Sequence, residues 1–590
     1  MAKMHKKIIS LVCSGMMLAG CTGITACGGE GENEKMIEVI GASAMYKYEQ
    51  RHTFSAAEKA TEIKMDAAAN EYESAQIIIC ANDEKVSFYD VLAADFVSAD
   101  GTTISKKNVE VYSAYYNSIS NSENGYPGGY IPDVLIPMES RLEYGDNVVA
   151  IGENQAVWFT VYVPKGTPAG EYKSNFSVTV NEKNYIVPVT LNVYGFELPD
   201  ETHVKSAFAI WGPTYGNDML TNVYGNKARA AENAYYEFLL KYRIAPTSLP
   251  NLDLSSVESW VDQAVEYAAR ADVPSFSLPF RRATSNKHAN WFDEAYMHDV
   301  LAMLVDRSTE EQNIFAKLYA YGIVDEPDYT KEYEKTRDFT TAMKNIVQAV
   351  LDEKDAADAF QDKPSVRESL KNLQTLITLC NWGEDIGGDI GNNITGYCPK
   401  YFLFDTEENR NEFAQLQENN IGIWAYGCNI PGWPYPTYQI DADLVSPRSV
   451  GVMQMRYNIE GNLFWCTNVS RVFDGMSYTD NWDPFKTHYA FSKWPGDGFL
   501  VAPAGRYEKR SIAPYPTMRL EMIREGQEDY EYLYMLKALV ATKGDDALTA
   551  LTNALEREYD KVLTGAQPTE DPEKMIAFKK TIANMILENL

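Results

Sequence analysis

The chain has 590 residues, 53 basic against 83 acidic for a formal net charge of −30, with 45% apolar and 12% aromatic residues. That composition is too apolar for intrinsic disorder, it carries no Gly-X-Y period or sustained heptad for a fibre, and its charge is the wrong sign for a nucleic-acid binder. At roughly 100–200 residues per domain, three or four domains are expected.

The first predicted element is a targeting segment. Lys3, Lys6 and Lys7 precede an apolar stretch from Ile8 to Gly20 that ends Leu18-Ala19-Gly20-Cys21. A basic start, a short apolar run and small residues before a cysteine resemble a bacterial lipoprotein signal, with Cys21 the lipidated residue after removal of 1–20. The run is too short to span a bilayer, which needs roughly 20 residues. An ordinary signal peptide with an incidental cysteine is the plainer alternative. Cleavage removes three lysines and no acid, taking the charge from −30 to −33. Residues 21–36 read as a flexible tether, and the remainder as an extracytoplasmic body whose contact with the membrane is the lipid anchor.

Residues 37–200 are predicted to be a β-sandwich. Runs such as Gln76–Cys80, Ala156–Val163 and Tyr185–Tyr194 are separated by turn signals such as Pro127-Gly128-Gly129 and Pro164-Lys165-Gly166. Residues 201–514 change character. Strands are expected at Ala207–Trp211, Ala245–Leu249, Ser275–Phe280, Leu318–Val324, Thr375–Cys380, Gly396–Phe402, Gly422–Tyr426 and Gly461–Cys466. Helices fit between several of them, at Lys227–Tyr242, Val257–Arg270, Asp293–Met303 and Lys331–Asp352. That alternation fits a (β/α)8 TIM-like barrel; a doubly wound sheet is the competing fold, but Trp211–Gly216 is not the Gly-rich phosphate loop it usually carries. Residues 515–590 are predicted to form a helical cap with helices at Met518–Lys543, Ala547–Val562 and Glu573–Leu587.

The cysteines and the six histidines are scattered, with no C-x-x-C or Cys/His cluster, so no metal or other cofactor is expected. The cysteines read as buried free thiols, with a disulfide among Cys380, Cys398, Cys428 and Cys466 as the alternative.

The sharpest chemical feature is Tyr321-Gly322-Ile323-Val324-Asp325-Glu326-Pro327, an apolar strand running into two acids. At the C-terminal end of a barrel strand, Asp325 and Glu326 are candidate catalytic residues; an acid before proline is also a common helix start. Trp211, Asn381, Trp382, Trp424, Tyr426 and Trp465 fall at other expected strand ends; any one of them alone reads as core packing, but as a set around one rim they are candidate sugar-binding residues, since flat aromatics stack on sugar rings. Most glycosidases set two carboxyls across the scissile bond. The strand ending Trp424–Asn429 supplies no acid, so both candidate acids sit side by side on one strand. That suits substrate assistance: the sugar's 2-acetamido oxygen attacks, Asp325 steadies the acetamido group, and Glu326 protonates the leaving oxygen and then activates water. Glu326 then needs a raised pKa.

The Asp325-Glu326-Pro327 strand end resembles glycoside hydrolase family 123, the β-N-acetylgalactosaminidases, and related proteins with the domain of unknown function 4091. So do Asn70–Gln76, Trp424-Ala425-Tyr426, Gly496–Leu500 and, at greatest length, Arg519–Leu533. The resemblance implies a sandwich, a barrel and a helical C-terminal part, retention by substrate assistance, no metal, and catalytic roles for Asp325 and Glu326. Ala502-Pro503-Ala504-Gly505 departs from the Tyr-Pro-Gly expected after the Gly-Asp-Gly loop, which affects the local subsite. The partner implied is an oligosaccharide or glycoconjugate, and the sequence carries no signal for oligomeric state. The alternatives are another glycosidase pairing Glu326 with Glu384, Asp385 or Asp474, and a glycan-binding lipoprotein without catalysis.

Overall fold

The computed structural model describes residues 37–590 apart from 121, 123, 214–218, 282–291, 384–389, 391–392, 470–471, 474–477, 480–484 and 486–493. The signal, the tether, Cys21, Glu384, Asp385 and Asp474 lie outside the described residues.

The N-terminal region is built of two sheets. One is antiparallel in the order Ile37–Ser43, Glu71–Ala81, Glu153–Val163, Val109–Ile119, Gly129–Pro137. The other runs Ile63–Ala69, Lys183–Glu197, Gly170–Val180, Phe96–Ser98, Thr103–Ile104. Gly170–Val180 and Lys183–Glu197 form a hairpin closed by Asn181-Glu182, with Asn181 at φ 54°, the left-handed geometry a two-residue turn needs. Alternate residues Tyr172, Phe176, Val178 and Val180 point inward to meet Ile77, Ile79, Val157, Phe159 and Val161 of the first sheet in one core. The opposite face of the first sheet is covered too: Ala156 and Trp158 belong to the main core with the C-terminal helices. Burial on both faces explains why Ala156–Val163 is apolar at every position but Thr160, with no polar alternation.

In the central region five strands form a parallel sheet in the order Lys205–Phe208, Gly461–Phe464, Gly422–Tyr426, Gly396–Pro399, Leu376–Leu379. Phe276–Ser277 and Leu318–Tyr319 make a separate parallel pair. Single parallel bridges join Phe208 to Pro246 and Ala320 to Thr375. Most strands are shorter than expected, and 245–249 is reduced to its bridge, because the apolar runs continue into buried loops beyond the ladder. The helices Ala228–Leu240, Val257–Ala268, Glu294–Arg307 and Tyr333–Ala356 lie close to their predicted spans. Asp293 caps the third of these, its side chain accepting from the Tyr296 N–H.

The C-terminal part is helical, with helices Met518–Ala541, Asp545–Val562 and Pro572–Asn589. The first is not amphipathic. Met518 to Asp529 are all buried, including Arg519, Glu521, Arg524, Glu525, Glu528 and Asp529. Buried charge is tolerable only when paired. Arg519 meets Asp133 at 2.8 Å, Arg448 holds Asp529 at 2.7 and 3.0 Å, and Arg524 pairs with Glu521. The Asn70–Gln76 segment faces the same helix: the Tyr72 N–H donates to Glu528 at 3.1 Å, and the Tyr532 hydroxyl to Glu71 at 2.5 Å. Asn70–Gln76 and Arg519–Leu533, both family-resembling segments, thus form a buried polar seam between the sheets and the long helix.

Gly526 on this helix packs against helix Val445–Arg456 at Gly451. A Cβ on Gly451 would overlap the Gly526 carbonyl, and one on Gly526 would lie 3.1 Å from the Arg448 carbonyl carbon. Only glycine permits so close a crossing. Among the described residues no helix is long and apolar enough to cross a membrane.

Candidate functional site

The strand Leu318–Tyr319 leaves its ladder after Ala320, well before the expected end at Val324, and Gly322 turns the chain at φ 122°. Glu326 then sits at φ 44°, ψ 55°, immediately before the short helix Pro327–Thr330. A left-handed glutamate is uncommon, and such strain gathers where function needs it. The helix-start reading is right for the backbone and wrong for the side chains, since the Glu326 carboxylate makes no capping bond.

Instead the two carboxyl groups reach one pocket of about 490 Å³. Thr378, buried near the end of Leu376–Leu379, ties them together: its hydroxyl accepts from the Glu326 N–H at 2.8 Å and donates to Asp325 Oδ1 at 2.8 Å. Asp328 anchors the next turn, accepting from the Asn381 N–H at 2.8 Å, the Asn381 amide at 2.9 Å and the Cys380 N–H at 3.1 Å. The Tyr426 hydroxyl donates to Glu326 Oε1 at 2.5 Å, and Lys400 Nζ lies 3.2 Å from the same oxygen. Lys400 is only 6% exposed and follows the strand Gly396–Pro399.

The electrostatics divide the pair. Burial raises the Asp325 pKa against the lowering Thr378 bond, although Asp325 is exposed where it lines the pocket, which moderates that push. Burial also pushes Glu326 up, but the Tyr426 hydroxyl and the Lys400 ammonium outweigh it and leave the pKa below its ordinary value. The direction is opposite to the upward shift expected for Glu326.

Of the predicted sugar-binding residues, Trp211, Tyr426 and Trp465 line this pocket with Asp325 and Glu326. Trp211 and Trp465 meet edge to face at 5.1 Å, and Trp465 Nε1 donates to Asp497 Oδ1 at 3.0 Å. Three placements require correction. Trp424 is 0% exposed, packed in the strand interior with Tyr319 and Leu463, and its Nε1 donates to Gln374 at 2.9 Å. Trp424 and Tyr426 share a face of their strand, but two residues of rise put Trp424 below the pocket. Trp382 turns outward onto Tyr397 and Phe413, donating to Glu412 at 2.5 Å. Asn381 is exposed and serves Asp328.

Thr378, Lys400, Asp328 and Asp497 were missed as site residues. Two signals were legible: a lysine directly after the apolar strand Gly396–Pro399, and Asp497 inside the Gly496–Leu500 motif. Cys80, Cys380, Cys398, Cys428 and Cys466 are free, and no His/Cys/Asp/Glu group among the described residues is arranged to hold a metal ion.

The model of the glycoside hydrolase 123 N-terminal domain matches residues 42–180, and that of the glycoside hydrolase 123 catalytic domain matches residues 280–536. No curated protein sequence matches the chain. Among solved structures, a family 123 glycoside hydrolase from Clostridium perfringens, studied for glycolipid glycan hydrolysis, aligns with a TM-score of 0.62 at 16% identity, covering 94% of this chain and 98% of its own. A Parabacteroides merdae β-glucuronidase aligns at a TM-score of 0.26 and 8% identity over 79% of this chain and 50% of its own, too loosely to carry an argument. Two family models that begin in the paired sheets and run into the long buried helix, with a full-length match in fold, give one conclusion: the chain belongs to glycoside hydrolase family 123.

Proposed function

We propose that this glycoside hydrolase is an exo-acting β-N-acetylgalactosaminidase that retains configuration by substrate assistance, held outside the cytoplasm by a lipid on Cys21. The observation that carries the reading is that Asp325 and Glu326, adjacent in the chain, both open into one pocket from the same edge. Two acids on one edge do not flank a glycosidic bond as a nucleophile and an acid would. They suit a reaction whose nucleophile belongs to the substrate.

In this mechanism the 2-acetamido oxygen attacks the anomeric carbon, the glycosidic C–O bond breaks, and Asp325 holds the acetamido N–H as positive charge develops. Glu326 gives its proton to the departing oxygen and then takes one from the water that opens the cyclic intermediate. Tyr426 and Lys400 both address Oε1, which fixes the carboxyl plane. They also favour the ionised form, which suits the base step; the acid step draws on desolvation as sugar fills the pocket, and on acidic pH. Trp211 and Trp465 supply apolar walls for the pyranose ring.

We further read the central strands as a (β/α)8 barrel spanning 201–514, between a sandwich at 37–200 and a helical part at 515–590. Its closure is supported by backbone bonds from Phe208 to Ala245, Ser277 to Thr247, Leu278 to Tyr319 and Ala320 to Gln374. Hydrolysis of 4-nitrophenyl N-acetyl-β-D-galactosaminide, lost in Glu326→Gln and inhibited by a thiazoline mimic of the cyclised acetamido group, tests the reading. Cleavage confined to sugars lacking the 2-acetamido group refutes it.

A further inference from the structure

The Gly496-Asp497-Gly498 loop brings a further carboxyl to the pocket, and the mechanism above does not use it. Asp497 is 2% exposed, yet it lines the cavity beside Trp465. Both flanking glycines are left-handed, at φ 81° and 73°. Neither tolerates a side chain. A Cβ on Gly496 would come within 2.9 Å of Arg519 Nη1, and one on Gly498 within 2.7 Å of Val469 and 2.8 Å of Trp465 Cη2. The loop is therefore pressed against the indole on one side and the Arg519 guanidinium on the other. Arg519 also holds it by hydrogen bonds, donating to the Gly496 carbonyl at 3.0 Å and the Phe499 carbonyl at 2.6 Å.

We propose that Asp497 is a positioning residue for sugar recognition: through Trp465 Nε1 it locks the indole as the wall against which the pyranose ring packs. An indole has one polar handle, and its ring orientation is set by where that handle is bound. Here the handle is held at 3.0 Å, the Gly498 backbone crowds the six-membered ring, and Trp211 braces it at 5.1 Å. Burial pushes the Asp497 carboxyl up to about 7, with the Trp465 bond opposing. Either protonation state accepts from the indole N–H, so an amide can stand in for the acid. The inference rests on the glycosidase reading for its ligand, but not for its geometry.

The test combines Asp497→Ala, Asp497→Asn, Trp465→Phe and the Asp497→Ala/Trp465→Phe double variant. With 4-nitrophenyl N-acetyl-β-D-galactosaminide, Asp497→Ala is expected to raise KM roughly three- to tenfold, the order of one lost hydrogen bond, with kcat little changed. Asp497→Asn recovers most of that loss. In the Trp465→Phe background, which lacks the N–H, Asp497→Ala adds nothing. An equal effect in both backgrounds, or a fall in kcat at constant KM, overturns the proposal by placing Asp497 on the substrate itself.

A second readout needs no turnover. In protein labelled with 5-fluorotryptophan, the Trp465 line, assigned by its absence in Trp465→Phe, should shift or broaden in Asp497→Ala and stay in place in Asp497→Asn. An unmoved line in Asp497→Ala sinks the proposal. A moved line in a protein that hydrolyses no acetamido sugar sinks only the glycosidase reading.

Discussion

Gly526→Ala sets two effects of opposite sign against each other. In a helix interior alanine is favoured over glycine by about 1 kcal/mol, so propensity alone predicts a more stable protein. At the crossing of Val445–Arg456 with Met518–Ala541, however, the new methyl meets backbone: it would lie 3.1 Å from the Arg448 carbonyl carbon and 3.2 Å from its Cα, and closer still to its oxygen. Backbone inside a packed helix cannot rotate away as a side-chain tip can, so the helices must separate. Overpacking of this kind costs about 1–3 kcal/mol. Separation also stretches the Arg448–Asp529 pair, now at 2.7 and 3.0 Å, and breaking a buried pair costs about 3–5 kcal/mol when complete. Even partial stretching overtakes the propensity gain, and a net loss of about 2 kcal/mol or more is expected. Urea unfolding, followed by tryptophan fluorescence and far-UV circular dichroism, measures it. Gly505→Ala is the internal control: nothing lies within 4 Å of its added Cβ, so the same change should be neutral or slightly stabilising. Because either methyl forces the same separation, Gly451→Ala with Gly526→Ala should cost less than the sum of the two. Stability equal to or above the parent in Gly526→Ala would refute the close crossing.

Three further outcomes follow from the site. Lys400→Met removes a group that holds the Glu326 pKa down, so that pKa rises; the acid step needs protonated Glu326, and the high-pH limb of the kcat/KM profile should move upward, whereas an unmoved limb would divorce Lys400 from catalysis. Trp424→Ala should cost about 3–5 kcal/mol of stability, as for other buried tryptophans, while Trp424→Phe leaves KM unchanged; a raised KM would return Trp424 to the sugar site. Asp328→Ala leaves the half-buried Cys380 and Asn381 N–H groups without their acceptor, at about 1 kcal/mol for each lost bond, and frees the turn that carries Glu326, so kcat should fall while Asp328→Asn, which keeps one acceptor, retains more of it.

What could be read from the residues depended on how local its cause was. The C-terminal helices and Val257–Ala268 were legible because capping and turn-by-turn periodicity are short-range signals. The acid pair was legible because Asp325 and Glu326 are neighbours. Trp424 and Trp382 were misjudged for a different reason: a strand end fixes which face a residue takes, but not whether it lies at pocket depth or below, nor whether a neighbouring helix claims it. Lys400 and Tyr426 converge on Glu326 from two other strands, and nothing along the chain announces that. The buried partners of the long helix were not legible, because they lie far away in sequence: Asp133 for the Arg519 guanidinium and Glu71 for the Tyr532 hydroxyl are 386 and 461 positions distant. Periodicity cannot see a partner at that range.

The Arg519 guanidinium has a wider consequence. One end is neutralised by Asp133 in the N-terminal sheets, and the other carries the carbonyls of the loop that walls the pocket. Cutting the chain near residue 200 would strand a buried cation and unseat a wall of the cavity in the same stroke. The sheets are thus no detachable accessory. They supply the counter-ion on which the pocket's shape depends, and this fold cannot be shortened to its chemistry-bearing half or have that half grafted onto another scaffold without it.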